Sequence, residues 1–344
     1  MSAETLQVVE PLPIDRVFSG PGSHSRLGDE LERLEVRRAL LLSPASLAGG
    51  KVLESVRAAG GARISATHCG IGAHNPTSSV EAAAQAYTAG GADGLIACGG
   101  GSVIDAAKAV AFHLQLRPPI LALPTTLSGA EFACSFGQTD DQTLLKGGWR
   151  DRALTPRAVF LDSRLAVETP DWLWASGGMR ALDHAAEAIL AVNAHPYLTA
   201  LAESALSILS RRLVLSLTGD HEPRMDCYYA AWMAHTGSYH IQWGLSHQMG
   251  RQLGPRFSIP HGFTSAVLLP AVVELQGARR PEAEACIAEA LGVRPTGAGA
   301  GLRSLARQLG LPTSMREAGI TDRDAVEELF RELDGAEEVI DLAW

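Results

Sequence analysis

The stretch LIACGGGSVIDAAKAVAFHL, residues 95 to 114, decides the fold. It opens on a short apolar run, breaks into three glycines, and continues with apolar residues and alanines at helical spacing. A buried strand, a tight turn and a helix are therefore predicted in that order. Glycines at such a turn let the backbone approach a pyrophosphate closely, and the N–H groups at the helix start near Ser102 favour an anion. GGGS is not the GxGxxG pattern, so its support for phosphate binding comes from the strand-then-helix setting and not from the tetrapeptide alone.

The same alternation runs outward from this turn. RRALLLS (37 to 43), ARISATHCG (62 to 70) and PPILALPTT (118 to 126) read as further strands. KVLESVRAAG (51 to 60) and SSVEAAAQAYTAGGADG (78 to 94) read as helices between them. Strand and helix alternating at this spacing imply βαβ units and a parallel sheet with helices on both faces. From Pro170 onward the strands are lost. RALDHAAEAILAV, PYLTALAESALSILSRRLVLSL, one run from about Met225 to Leu253, PEAEACIAEALG, AGLRSLARQLG and DRDAVEELFREL are all helical in pattern. The fold class is thus an α/β N-terminal domain followed by an all-helical domain, with residues 1–165 and 166–344 as the two units and the change of pattern in DSRLAVETP.

Bulk properties agree with two compact domains. The chain has 344 residues, 46% of them hydrophobic, which exceeds what a single core usually organises. A net charge of −9 argues against nucleic-acid binding. Five scattered cysteines without a CxxC pair suggest reduced thiols instead of disulfides or a cysteine-rich zinc site. The N-terminus lacks the basic start and apolar run of a signal peptide, and no segment reads as a membrane span, so a cytoplasmic protein without membrane association is expected.

GGGSVIDAAKAVA followed by LPTTLSGAE resembles the iron-containing alcohol dehydrogenase superfamily, whose members carry GGGSxxDxAK and then PTTxxGSE. The segment SFGQTDDQTLLKGGWRDRALTPRAVFLD is similar to its counterpart in maleylacetate reductases, and the likeness resumes in GGMRALDHAAEAI and GLSHQMGRQLGPRFSIPHGFTSAVLLP. Residues 16 to about 275 are covered. The resemblance implies a Rossmann-like domain, a helical domain, and a cleft between them for NADH or NADPH and a small carbonyl or alcohol. It further implies that Gly100, Gly101 and Ser102 contact the pyrophosphate, Thr125 and Thr126 the cofactor near adenine and ribose, Lys146 the nicotinamide ribose, and Asn75 the nucleotide. Ala130 stands where the family has a serine. Ser43 stands where relatives that prefer NAD place an aspartate after the first strand, so NADH and NADPH both stay open. Asp105 and Lys108, three apart on a helix, could be only a solvated charge pair.

Relatives that use a metal hold it with DxxxH on one helix and two later histidines. Matched by motif, His184, His247 and His261 are present, but the aspartate position is Arg180. Residues i and i+4 share a helix face whereas neighbours are turned by about 100°, so Asp183 is expected to point away from His184. HQMGR places Arg251 one turn after His247, and two guanidiniums are expected to face the metal position. A unit charge about 4 Å from a dication repels it by about 8 kcal/mol at an effective dielectric near 20. Arginine does not relieve this by losing its proton. No bound metal is therefore expected, although His184, His247 and His261 would be its ligands if one were held.

Without a metal, Arg180 or Arg251 would polarise a carbonyl or clamp a carboxylate, and His247 or His261, with His184 behind them, would supply a proton. His240, two turns before His247 on the presumed helix, and Trp243, one turn before it, are further candidates for the cleft wall. The expected reaction is NAD(P)H-dependent reduction of a small carbonyl or enone bearing a carboxylate, as the resemblance to maleylacetate reductases implies. A lyase, cyclase or isomerase using the cleft for acid-base chemistry, and a metal-dependent alcohol dehydrogenase, are the alternatives. A small anionic substrate and a second copy of the chain, in a homodimer, are the expected partners.

Overall fold

A computed structural model describes residues 8–344, with the side chain of His261 excepted. Eight strands lie in the first half: β1 (Arg16–Ser19), β2 (Ala39–Leu42), β3 (Ile64–His68), β4 (Gly94–Gly99), β5 (Ile120–Pro124), β6 (Ser135–Thr139), β7 (Lys146–Arg150) and β8 (Ala158–Leu161). Between them run α1 (Leu27–Arg33), α2 (Lys51–Gly60), α3 (Thr77–Ala89) and α4 (Gly101–His113). The remainder is helical: α5 (Asp171–Leu190), α6 (Pro196–Arg212), α7 (His221–His235), α8 (Leu245–Phe257), α9 (His261–Arg279), α10 (Pro281–Leu291), α11 (Ala298–Gln308), α12 (Arg323–Phe330) and α13 (Ala336–Ala343). No helix among the described residues is long and apolar enough to cross a membrane. All five cysteines are unbridged.

Six strands form one parallel sheet in the order β1-β8-β5-β4-β2-β3, and β6 and β7 pair separately as an antiparallel hairpin. The chain leaves β2 for β3 in one direction and reaches β5 from β4 in the other, so the order reverses between β2 and β4. A crevice opens outside the carboxyl ends of strands at such a reversal, which places the ligand cleft. Of the four strands predicted from the sequence, all form, β4 running into the glycine turn as expected. Strands β1, β6, β7 and β8 were not predicted: each is four or five residues long, and runs that short carry no readable period.

The β2, β4, β5 and β8 backbones are buried on both faces, which is why they read as continuous apolar runs. One face packs on α1 and α2 through Leu27, Leu31, Val52 and Val56. The other packs on α3 and α4, and the same apolar cluster continues without a break into α5, α6 and α7. Helix α5 sits close against the sheet's loops because Gly177 has no side chain: a Cβ there would stand 3.1 Å from the Leu127 nitrogen.

The single helix expected from Met225 to Leu253 is two helices. α7 stops at His235, residues 236–244 form an irregular segment, and α8 starts at Leu245. Gly237 takes a left-handed φ of +73° and Gly244 an extended one, which ends one helix and begins the other. His240 therefore shares no helix with His247. Its ring accepts from the Glu10 backbone N–H at 2.9 Å, on the outside of the molecule.

Candidate active site

A cleft of about 990 Å³ runs along the carboxyl ends of β2 and β4, under the β6–β7 hairpin, and ends on α5, α7 and α8. At one end the glycine turn leads into α4. Gly100 is the residue before its first turn, no side chain caps it, and the helix start is open to the cleft. A Cβ on Gly100 would stand 3.1 Å from Thr126, and one on Gly101 3.1 Å from Ser128, so the bare backbone is what lets the turn and the Thr125–Ser128 loop lie together. Thr125, Thr126 and Ser102 line the same wall, and the Ser102 hydroxyl accepts from the His74 N–H at 3.1 Å. Asn75 holds a left-handed φ of +57° and donates its amide to the Gly137 carbonyl at 2.7 Å. Its carbonyl oxygen is buried on the cleft wall with no hydrogen-bond partner among the described residues, an acceptor that a ligand would satisfy.

Ser43 is placed differently from expectation. It is fully buried, and its backbone still bonds His68 and Ile71 at the end of the sheet, so its hydroxyl faces the interior. Pro44 to Leu47, the turn that follows, form the cleft wall instead. The Asp105 and Lys108 pair is likewise not solvated. Lys108 is fully buried and donates to the carbonyls of Ala130 and Ser135 at 2.6 and 3.0 Å. Asp105 lines the cleft and accepts from the Gly137 N–H at 3.0 Å.

The other end of the cleft is built on one face of α5. Arg180, Asp183, His184 and Glu187 follow at i, i+3, i+4 and i+7, the spacing of a single stripe. Asp183 does not point away: the relevant spacing is its distance of three from Arg180, whose Nη1 donates to Oδ2 at 3.0 Å. Ser265 of α9 donates to the same oxygen at 2.7 Å. Glu187 reaches across to α8, where it accepts from the N–H groups of Gly244 and Ser246 at 3.1 and 2.8 Å and so caps that helix from another element. Its Oε2 also lies 2.6 Å from Nδ1 of His247. Trp243 stacks on His247 at 3.7 Å between ring centres and 15° between planes. His184 contacts His235, the last residue of α7, with 3.2 Å between the two Nδ1 atoms. His261 opens α9, and its side chain lies outside those described.

Burial governs the charge states here. It raises Glu187 to about 7 despite the opposing Arg180, and it raises Asp183. Burial and then Arg180 push His247 well below its ordinary value. Oε2 of Glu187 and Nδ1 of His247 are close but not aligned as a hydrogen bond, and burial disfavours separated charges on the two groups. Arg180 and Arg251 do not converge as expected. Arg180 is locked to Asp183 with only 15% of its side chain exposed. Arg251 is exposed on the rim, where it donates to the Lys146 carbonyl at 3.4 Å and lies over Gly148. Lys146 lines the cleft, and burial lowers its pKa, with Arg180 and Arg251 adding to the effect.

Sequence reasoning set Asp183 aside and did not raise Glu187 or His235. For the first two the helical stripe starting at Arg180 was a usable signal. His235 had none, since its neighbour is 51 residues away. Atoms of Asp183, Glu187 and His247 lie within 4.8 Å of one another, which is compact enough for a cation. Arg180 and Ser265 both engage Oδ2 of Asp183, and Glu187 accepts two backbone N–H groups, whereas Oδ1 of Asp183 and both ring nitrogens of His247 are buried with no hydrogen-bond partner among the described residues.

A doubly wound parallel sheet with an open helix start at its reversal point, facing titratable groups on a helical domain, is the layout of a nucleotide-binding enzyme. The chain belongs to the iron-containing alcohol dehydrogenase family: residues 14–163 match the model for iron-containing alcohol dehydrogenase, and residues 174–333 the model for the C-terminal domain of that family. It is 34% identical over 315 residues to the maleylacetate reductase of Pseudomonas knackmussii, covering 90% of this chain and 86% of that one. It is 36% identical over 297 residues to maleylacetate reductase 2 of Cupriavidus pinatubonensis, with 85% and 80% covered. Among solved structures, maleylacetate reductase from Agrobacterium tumefaciens superposes with a TM-score of 0.88 at 28% identity, over 98% of this chain and 97% of that one. It is an NAD(P)-dependent oxidoreductase.

Proposed function

We propose that the protein reduces a small carbonyl or enone bearing a carboxylate, with NADH or NADPH and without a bound metal. The observation that carries this reading is the buried Arg180–Asp183 ion pair on the stripe where family members with a metal have their first ligand. A dication there would meet a guanidinium that cannot be deprotonated and that already holds Oδ2 of Asp183. The cofactor's residues fit: an uncapped α4 start for the pyrophosphate, Thr125 and Thr126 beside it, Asn75 with an unsatisfied acceptor, and Lys146 further along. The nicotinamide, when bound, supplies the hydride.

The chain's own groups do the rest. Arg180, fixed by Asp183 and Ser265, offers a cationic donor to the carbonyl oxygen as negative charge develops there. His247 gives the proton from Nε2 while Nδ1, 2.6 Å from the Glu187 carboxyl and brought into line with it as substrate binds, takes the Glu187 proton, leaving a neutral imidazole and a carboxylate held by the α8 N–H groups. Lys146, Arg150 and Arg251 on the cleft wall outnumber Asp105 at this end, which suits an anionic substrate.

Nicotinamide oxidation by chelator-treated protein, followed optically with maleylacetate and with a neutral ketone of similar size, tests the reading. Turnover of the carboxylated compound at undetectable metal content is expected. Activity that returns only on adding iron or zinc would overturn metal independence, and turnover without nicotinamide consumption would point to acid-base chemistry instead.

A further inference from the structure

His235 has no part in the mechanism above, yet its surroundings are built for it. The ring lines the cleft and is held between two neighbours. On one side is Gly129, whose φ of +71° suits glycine and whose Cβ, if present, would stand 2.9 Å from Cγ and Nδ1 of His235. On the other is His184, with ring centres 4.5 Å apart, planes inclined by 71°, and the two Nδ1 atoms 3.2 Å apart.

A neutral imidazole carries one N–H, and a hydrogen bond between two Nδ1 atoms needs one donor and one acceptor. We propose that His235 is a positioning residue for His184: one proton lies between their Nδ1 atoms, so the two rings are held in opposite tautomers. The ring that donates through Nδ1 then has a bare Nε2, and the other carries its proton on Nε2. His184 stands 4.9 Å from His247 and 5.4 Å from Trp243, ring centre to ring centre. The contact with His235 in this way constrains, from α7, which proton His184 carries toward the cleft. The functional consequence rests on reading this end of the cleft as the reaction site; the tautomer assignment does not.

The test uses full-length protein labelled with ¹⁵N-histidine, without substrate. Long-range ¹H–¹⁵N spectra are expected to show one of the two rings as the Nδ1–H form and the other as the Nε2–H form. His235→Asn keeps a polar amide near the Nδ1 position, whereas His235→Leu removes it. The Asn variant should retain the His184 tautomer and kcat within about threefold, while the Leu variant should lose about ten- to a hundredfold in kcat with NADH affinity unchanged. Finding both rings in the Nε2–H form would overturn the proposal, as would a Leu variant whose His184 spectrum and kcat match wild type. Should no carboxylated carbonyl be turned over, the function proposed above fails while the spectra still decide this assignment, and the wild-type spectrum does so even if a variant does not fold.

Discussion

Arg180 is the cationic donor of the proposed mechanism, and its energetics depend on Asp183. Removing one member of a buried pair leaves an uncompensated charge and costs about 3–5 kcal/mol, whereas replacing both by apolar groups is often near neutral. Arg180→Met is therefore expected to destabilise the protein by about 3–5 kcal/mol in urea titration, and Arg180→Met/Asp183→Leu to recover most of that. Both variants should lose about 10²–10³-fold in kcat, because neither has the cationic donor. A second residue-scale effect belongs to Glu131, whose fully buried carboxyl has no hydrogen-bond partner among the described residues and is raised from 4.5 to about 7 by burial. The folded state holds that proton more tightly than the unfolded one, so the stabilisation is complete below about pH 4.5 and is lost as pH rises through about 7. Glu131→Gln should match wild type near pH 4.5 and exceed it at pH 8, by up to about 3 kcal/mol, in thermal unfolding followed by circular dichroism. The replacement of aspartate by Arg180 was legible from motif spacing. The answering role of Asp183 was hidden because its position was compared with His184, its neighbour, and not with Arg180 one turn back.

Among the elements, α8 depends on α5 for its start. Gly244 gives no side-chain cap, and Glu187 accepts the N–H groups of Gly244 and Ser246 in its place. A cap of this kind contributes about 1 kcal/mol, and it also holds His247 in register with its partner. Glu187→Ala should speed hydrogen exchange in the first turn of α8 by about fivefold or more while α6 and α11 keep wild-type protection, as read by mass spectrometry. Uniform protection across α8 in that variant would show that packing alone holds its start. Helical periodicity in the sequence could place α5, α6, α10, α11 and α12, but it joined α7 to α8. The break arises from backbone angles at Gly237 and Gly244, and an isolated glycine within a helical pattern does not announce which way it will turn.

For the whole molecule, the cleft joins the two halves, because its walls come from the sheet's loops, the β6–β7 hairpin and the helices α5, α7 and α8. A ligand that binds only the folded state at 100 times its Kd stabilises it by about 2.7 kcal/mol. NADH or NADPH, whichever is bound, should accordingly raise Tm in a concentration-dependent way. Gly101→Val should abolish that rise and also lower the unliganded Tm, since its side chain would crowd Ser128 at the open start of α4. A variant that still responds would place the pyrophosphate elsewhere.

What the sequence determined by itself was the four central strands with the helices between them, the glycine turn, the family and the presence of Arg180 one turn before His184. These are local facts, carried by spacing within a few turns of one element. Only the tertiary structure decided that Ser43 faces inward, that Glu187 caps α8 beside His247, and that His235 meets His184. Each of those depends on where separate elements pack, and the partners lie 51 residues apart for the two histidines and 59 for Glu187 and Ser246. No periodicity spans such distances; the close packing of α5 against its neighbours does, by leaving each buried polar group one place to find a partner.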